Sequence, residues 1–173
     1  MILQVNGSTG AQSSNGALLE AIRAEFPHLV FQKSINLGLL PLFAATNDRP
    51  PYNPSVLEWK SQVLRAHALL ICTPAYLENI PAALKNAFEW LKSSGELDAK
   101  AVLAMTYTPH PPRGERALRS MLWSLQALNA RVVAQLPLFA NELSINNSGR
   151  LRGTESITML KEGLQLLTGH DLG

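Results

Sequence analysis

The sequence predicts a doubly wound α/β fold with three layers, in which a five-stranded parallel sheet carries helices on both faces. Short runs rich in aliphatic residues alternate regularly with longer stretches of helical period. The last three strand-like runs are continuously apolar, as in strands that are covered on both faces. A chain of 173 residues, of which 46% are hydrophobic, is expected to form one domain over residues 1–173.

Five strands and five helices are expected to follow one another along the chain. The strands are expected at Ile2–Asn6, Val30–Ser34, Ala68–Cys72, Ala101–Tyr107 and Arg131–Leu136, and the helices at Ser14–Glu25, Ser55–Ala66, Ala82–Ser93, Glu115–Asn129 and Thr154–Leu167. The connection over residues 36–55 shows no clear period. Connections of that length are usually functional or mobile, so this one is expected over or beside a site.

Charge and composition restrict the partners and the compartment. The net charge is only +2 and the basic residues are scattered, so nucleic acid is not an expected partner. The most apolar stretch is interrupted by Pro74, Glu78 and Pro81 before it reaches the length of a membrane span. With one cysteine, Cys72, and no basic leader, the chain is expected to be cytoplasmic. The four histidines lie far apart without metal-ligand spacing, so no metal site is predicted.

The first loop, GSTGAQSSN at residues 7–15, predicts an anion site. It follows the first strand and leads into a helix, which is where open α/β sheets bind phosphates. It has neither the Gly-Lys-Ser/Thr of triphosphate loops nor the glycine fingerprint of dinucleotide sites. An uncharged loop of this kind fits one monophosphate, as in flavin mononucleotide (FMN). Its potential donors are Ser8, Thr9, Gln12, Ser13, Ser14 and Asn15. The alternative is that Ser13 or Ser14 only caps the helix within a polar turn.

A second segment, CTPAYLENIPAALKNAFEWLK at residues 72–92, follows the third strand. In the strand order 2-1-3-4-5 the first and third strands are neighbours, so a ligand with its phosphate on the first loop reaches this one. Tyr76 offers an aromatic wall, Asn79 an amide, and two prolines hold the loop rigid. A flat heterocycle fits such a surface. Taken singly, Tyr76 is equally explained as a packing residue and Pro81 as the first residue of a helix.

These stretches resemble the NAD(P)H-dependent FMN reductases of the flavodoxin-like fold, which include bacterial quinone, azo-dye and chromate reductases. The residues that match the family pattern are Gly7, Ser8, Ser13, Asn15 and Leu18 in the first loop, and Thr73, Pro74, Tyr76, Pro81, Leu84, Lys85, Asn86, Ala87 and Trp90 in the second segment. The second motif is highly specific. Gly10 replaces the family's arginine, and the second segment departs from the motif at Ala75, Leu77, Asn79 and Glu89.

The third stretch, TYTPHPPRGERAL at residues 106–118, matches the family least. Thr108 and Gly114 agree with its glycine-rich loop, whereas His110 and Arg113 replace glycines. Arg113 and Arg116 are interpreted either as ligands of the ribose phosphate of NADPH or as solvated surface charge. His110 is interpreted either as a proton donor or as an exposed loop residue.

The resemblance implies a flavodoxin-like three-layer sandwich that binds FMN across the loops after strands 1, 3 and 4. It implies that NADPH or NADH reduces the flavin at N5 and is then replaced by a quinone, free flavin or similar acceptor, in a ping-pong exchange without a catalytic side chain. It also implies a homodimer or homotetramer. The cofactor-binding residues implied are Ser8, Gly10, Gln12, Ser13, Ser14, Asn15, Pro74, Ala75, Tyr76, Leu77, Glu78, Asn79, Thr108 and Gly114.

Two other interpretations keep the fold and change the function. The first is a flavodoxin-type electron carrier without a nicotinamide site. Such carriers are expected to be strongly acidic, whereas the isoelectric point of this sequence is about 8.9, which disfavours this interpretation. The second is a protein of the same fold that has lost flavin, as the missing arginine, Ala75 and the proline-rich third loop would allow.

Overall fold

A computed structural model of the chain describes residues 1–171. The strands of its main sheet are Ile2–Asn6 (β1), Phe31–Lys33 (β2), Ala68–Thr73 (β3), Ala101–Thr108 (β4) and Arg131–Phe139 (β5). The α-helices are Ser14–Glu25 (α1), Pro54–Arg65 (α2), Ala82–Glu89 (α3), Glu115–Ala127 (α4) and Thr154–Thr168 (α5). Among the described helices, none is long and apolar enough to cross a membrane.

The sheet is parallel and has the order β2-β1-β3-β4-β5, which confirms the predicted flavodoxin-like topology. Asn6 at the end of β1 pairs with Cys72 of β3, and Thr73 pairs with Thr106 of β4. The carboxyl ends of three adjacent strands therefore lie at one edge of the sheet. Helices α2, α3 and α4 bury one face of the sheet, and α1 and α5 bury the other.

Strands β3 and β4 are buried along their whole length, as their apolar runs predict. The same expectation is wrong for β5, in which most of the first five residues are only partly buried. The reason is topological, because β5 is an edge strand with β4 as its partner in the sheet. It also runs past the predicted end at Leu136 to Phe139 and includes Pro137, a residue that edge strands tolerate.

Two helix ends differ from the sequence-based expectation by more than one residue, and one pair of strands was not expected. Helix α3 ends four residues earlier than predicted, at Glu89, and the chain continues in turns. Helix α4 ends two residues earlier than predicted, at Ala127. An antiparallel pair of two-residue strands, Ser144–Ile145 (β6) and Leu151–Arg152 (β7), was not predicted. Strands of that length are too short to show a period in the sequence.

The long connection between β2 and α2 is packed against the protein. It contains two short 3₁₀ helices, Leu37–Leu39 and Ala45–Asn47, and is held by α3. The buried Asn86 side chain donates from Nδ2 to the Pro41 carbonyl at 2.9 Å and accepts from the Phe43 amide at 2.7 Å. The connection also contacts the first loop, because Asn36 Nδ2 donates to the Thr9 carbonyl at 3.3 Å. The start of the connection therefore lies beside the first loop.

Replacing Asn86 by alanine is expected to destabilise the fold by about 2 kcal/mol, because the connection loses two hydrogen bonds to Asn86 and the partly buried Phe43 amide loses its acceptor. The free energy of unfolding in urea measures the effect. Lys85→Ala is the matched control, since the neighbouring Lys85 is exposed and, among residues 1–171, forms its ion pair with Glu89 one helical turn away. An equal loss in both variants would show that Asn86 does not hold the connection.

Candidate functional site

A cavity of about 320 Å³ opens at the carboxyl edge of the sheet, among the segments that follow β1, β3 and β4. We call it the loop cavity, and its size lies at the low end of the roughly 300–1,000 Å³ typical of small-molecule sites. Nine of the fourteen predicted residues line it: Ser8, Gln12, Ser13, Ser14, Asn15, Pro74, Ala75, Tyr76 and Thr108. The fold therefore brings residues of all three predicted segments together.

The first wall of the loop cavity is the loop of residues 7–13, called loop one, together with the start of α1. Ser13 is the N-cap of α1, and its Oγ accepts from the Gly16 amide at 3.2 Å. The amides of Ser14 and Asn15 belong to the first helical turn and have no acceptor within the helix. Free amides at the positive end of a helix, beside the exposed Ser14 hydroxyl, form a donor set that fits a phosphate. Capping by Ser13 and an anion site are thus compatible.

The Asn15 side chain joins this wall to two strands. It is buried, its Nδ2 donates to the Tyr107 carbonyl of β4 at 3.4 Å, and its Oδ1 accepts from the Cys72 thiol of β3 at 3.1 Å. Both ends of the amide are therefore occupied by protein groups. The side chain fixes the start of α1 relative to β3 and β4, and the Asn15 backbone amide is the part of the residue that remains for a ligand.

The second wall follows β3 and ends in a tight hairpin. Tyr76 and Asn79 exchange two backbone hydrogen bonds, of 2.8 and 3.0 Å. Leu77 and Glu78 at its tip have φ values of +50° and +61°, in the left-handed region that non-glycine residues rarely adopt. The turn directs the tip away from the loop cavity, and the Leu77 side chain is fully exposed. Strained backbone of this kind is concentrated at functional sites in proteins.

Five predicted residues do not line the loop cavity. Leu77, Glu78 and Asn79 form the hairpin beyond Tyr76, and the Asn79 Oδ1 accepts from the Ile80 amide at 2.8 Å. Gly10 lines a neighbouring cavity instead. Gly114 lies behind the third wall as the N-cap of α4, with φ +102°, and a Cβ there would approach Thr108 Cγ2 to 2.9 Å. Its role is to allow the close packing of this turn.

The third wall follows β4 and contributes three lining residues absent from the predicted set: Tyr107, Pro109 and Arg113. The Tyr107 hydroxyl donates to the Leu143 carbonyl at 2.8 Å, and burial raises the pKa of Tyr107, so its phenol stays protonated at neutral pH. Arg113 and Pro109 belong to the proline-rich stretch at residues 106–118. The sequence signal for Arg113 was that it replaces a glycine of the family pattern. Tyr107 gave no signal other than its position at the end of a predicted strand.

A larger cavity of about 650 Å³ lies between loop one, α1 and the end of β2, and it shares Ser8, Gln12, Ser13 and Ser14 with the loop cavity. Gly10 lines it, together with Gln4, Lys33 and Asn36. It contacts the ends of β1 and β2 but neither of the segments after β3 and β4. The loop cavity, where three of the strand ends converge, is therefore the candidate site.

Comparison with known proteins decides the family. The model of the NADPH-dependent FMN reductases matches residues 1–142 of the chain. The chain belongs to this family. The match confirms the predicted resemblance. It also confirms that the protein is an oxidoreductase that uses FMN and NAD(P)H.

Several known proteins are similar to this chain in sequence or in fold. The NADH:(hydroxy)cinnamate reductase subunit CrdA of Vibrio ruber is 29% identical over 167 residues, which cover 92% of this chain and 81% of that protein. A 2-hydroxy-1,4-benzoquinone reductase of Burkholderia sp. is 33% identical over 89 residues, 51% of this chain and 48% of that protein. The NAD(P)H:(acceptor) oxidoreductase FerB of Paracoccus denitrificans has the same fold, with a TM-score of 0.78 at 18% identity, and 98% and 97% of the two chains are covered.

The residues of this reductase fit a flavin nucleotide. The free amides at the start of α1 fit its phosphate, and no carboxylate among the described lining residues opposes that charge. Tyr76, Pro74 and Ala75 form a wall for a flat ring. The donor set and the uncharged loop one thus agree with the cofactor of the family.

Cys72 lies directly beneath the site and is not a reactive thiol. It is fully buried, and burial raises the pKa of the Cys72 thiol far above its ordinary value, so the reactive thiolate is not populated. We expect the native protein to react with a thiol-specific disulfide reagent at least about 100-fold more slowly than the unfolded protein. Rapid labelling of the native protein would contradict the buried contact between Cys72 and Asn15.

Proposed function

We propose that this reductase binds FMN in the loop cavity and transfers reducing equivalents from NADPH or NADH to a quinone, free flavin or similar small acceptor by a ping-pong mechanism. The observation that carries the proposal is the convergence of loop one, the start of α1 and the walls after β3 and β4 around one cavity. Bound FMN supplies the redox chemistry, by accepting hydride from the reduced nicotinamide and passing the electrons on.

The protein's contribution is binding and orientation. The amides of Ser14 and Asn15, with the side chains of Ser8 and Gln12, would hold the phosphate. The wall after β3 would carry the ring, with Tyr76 at the rim, where just over half of its surface is exposed. The contacts between Asn15, Tyr107 and Cys72 keep these two parts in register.

The lining of the loop cavity favours positioning over acid–base catalysis. Among the described lining residues there is no histidine, aspartate, glutamate or cysteine. The Tyr107 hydroxyl donates its hydrogen bond to the Leu143 carbonyl, so it does not point to a substrate in the loop cavity. An acceptor that takes electrons directly from flavin needs access to the open rim and no protein acid.

We propose a homodimer or homotetramer and a cytoplasmic location for this protein of one domain. Large apolar side chains stand exposed at separate places on the surface, among them Leu42, Leu77 and Trp123. Apolar side chains that are exposed singly are common on protein surfaces, so the proposed assembly rests on the family resemblance. The single cysteine is buried and free, as is usual in a reducing compartment. Light scattering coupled to size-exclusion chromatography measures the mass, and a monomer at micromolar concentration would contradict the assembly.

Anaerobic mixing of the FMN-loaded protein with NADPH or NADH tests the proposed activity. The expected result is rapid loss of the visible flavin absorbance, with its return when a quinone is added. Initial rates are then measured against nucleotide concentration at several fixed quinone concentrations. The double-reciprocal lines should be parallel. Intersecting lines would contradict the ping-pong order. A bound flavin that neither nucleotide reduces would contradict the reductase activity and favour an electron carrier.

A further inference from the structure

We infer that Arg113 binds a nucleotide phosphate in the loop cavity, an inference that rests on the proposed nucleotide binding at this site. Arg113 follows β4 and lies far along the chain from loop one. The sequence allows two interpretations of it, as a phosphate ligand or as a solvated surface charge. The structure places it in the lining of the same cavity as Ser8, Gln12, Ser13 and Ser14.

The charge balance of the loop cavity points to an anion near Arg113. Loop one has no charged residue, and the described lining residues include no carboxylate. Arg113 is the one ionised side chain among them, and within residues 1–171 it makes no ion pair. Among the described lining residues, the positive charge of Arg113 therefore has no acidic partner.

The position of Arg113 relative to two helices strengthens this argument. It immediately precedes Gly114, the N-cap of α4, so a cation stands at the positive end of a helix, where it is electrostatically unfavourable. The start of α1 presents a second positive helix end to the same cavity. The first turn of α4 also carries Glu115, which offsets part of the positive charge there. A bound phosphate would interact favourably both with Arg113 and with the start of α1.

The backbone that carries Arg113 is fixed, whereas its side chain is exposed. Thr108 Oγ1 donates to the Arg113 carbonyl at 2.6 Å, and the Arg113 amide donates to the His110 carbonyl at 3.2 Å. Gly114 packs tightly behind the turn, against Thr106 and Thr108. The backbone therefore anchors the Arg113 side chain beside the loop cavity. Its guanidinium can form two parallel hydrogen bonds with phosphate oxygens.

Two nucleotides of the proposed reaction carry such a phosphate. One is FMN, with a single terminal phosphate, and the other is NADPH, with its additional 2′-phosphate. The chemistry that Arg113 recognises is the same in both, a phosphate monoester. Comparing each nucleotide with its analogue that lacks this phosphate distinguishes the two sources.

The test uses Arg113→Gln, with Arg116→Gln as matched control, because Arg116 is a neighbouring arginine on α4 outside the described lining. Dissociation constants for FMN and riboflavin are measured by flavin fluorescence with the flavin-stripped protein. We expect FMN to bind about tenfold more weakly to Arg113→Gln, with riboflavin unchanged and Arg116→Gln like the wild type. Arg113→Lys should restore part of the loss, because it keeps the charge without the planar fork.

Calorimetric titration with NADP⁺ and NAD⁺ provides the second arm. A loss confined to NADP⁺ in Arg113→Gln would assign the phosphate to the nicotinamide nucleotide and also support the inference. It is overturned if Arg113→Gln matches Arg116→Gln for both FMN and NADP⁺, or if the wild type binds neither ligand. FMN binding that depends on Arg113, without flavin reduction by NADPH or NADH, would sustain the inference and contradict the proposed reductase activity.

Discussion

Replacing Ser14 by aspartate is expected to weaken FMN binding by at least about 100-fold while leaving the protein as stable as the wild type or more stable. Ser14 is the first residue of α1, and its side chain is exposed. A carboxylate there interacts favourably with the helix dipole, by about 0.3–1 kcal/mol. The same carboxylate would stand in the proposed phosphate site and repel the phosphate. Flavin fluorescence titration and thermal unfolding of the flavin-free protein measure the two effects.

The Ser14→Asp variant is informative because FMN affinity is expected to fall while stability is kept. A misfolded variant would lose both FMN affinity and stability. Ser14→Asn is the matched control, because it has the size of aspartate without the charge, and we expect it to change FMN affinity by less than about tenfold. If Ser14→Asp bound FMN as well as Ser14→Asn does, the phosphate would have to lie away from the start of α1.

Gly7→Ala is expected to reduce stability by about 2–4 kcal/mol and to weaken FMN binding at least about tenfold. A Cβ at Gly7 would lie 2.5 Å from Thr73 Oγ1 and 2.7 Å from Thr73 Cβ, closer than any real contact. Thr73 is fully buried at the end of β3, and Leu84 stands 3.1 Å away on another side, so neither neighbour has room to move. Loop one would have to leave β3, where the Gly7 amide donates to the Cys72 carbonyl at 2.8 Å.

Gly10→Ala is the matched control within the same loop. A Cβ at Gly10 would meet only Ser8 Oγ, at 3.7 Å, which is an ordinary contact. We expect a change of less than about 0.5 kcal/mol, as for most exposed substitutions. Urea unfolding of both variants gives the comparison. Equal stability of the two would mean that loop one does not depend on its close approach to β3.

The fold was predictable because its signals are local. Ser14–Glu25 is found as predicted for α1, since a polar cap is followed by a run of helical period. The apolar runs of β3 and β4 indicate burial on both faces because these strands lie inside the sheet. The same signal misleads for β5, because a sequence does not show that a strand lies at an edge. The strands β6 and β7 have two residues each, too few to show a period, although Asn146 and Gly149 form a local turn between them.

The candidate site was predictable where it follows the backbone and not where it depends on the orientation of a turn. Residues that directly follow β1 and β3 line the loop cavity, as parallel topology requires. The hairpin tip does not line the loop cavity, because the left-handed φ values at Leu77 and Glu78 turn the tip away from the cavity. Leucine and glutamate are not residue types that predict such a turn. Arg113 reaches the cavity through a turn whose path is set by tertiary packing around Gly114.

The most direct test of the account is a titration of the flavin-stripped wild-type protein with FMN and, in parallel, with riboflavin. The two ligands differ in the phosphate that loop one and the start of α1 are proposed to bind. The account predicts micromolar or tighter binding of FMN and at least about tenfold weaker binding of riboflavin. Equal affinity for the two ligands would contradict the phosphate site, and no binding of either would contradict the assignment of FMN to the loop cavity.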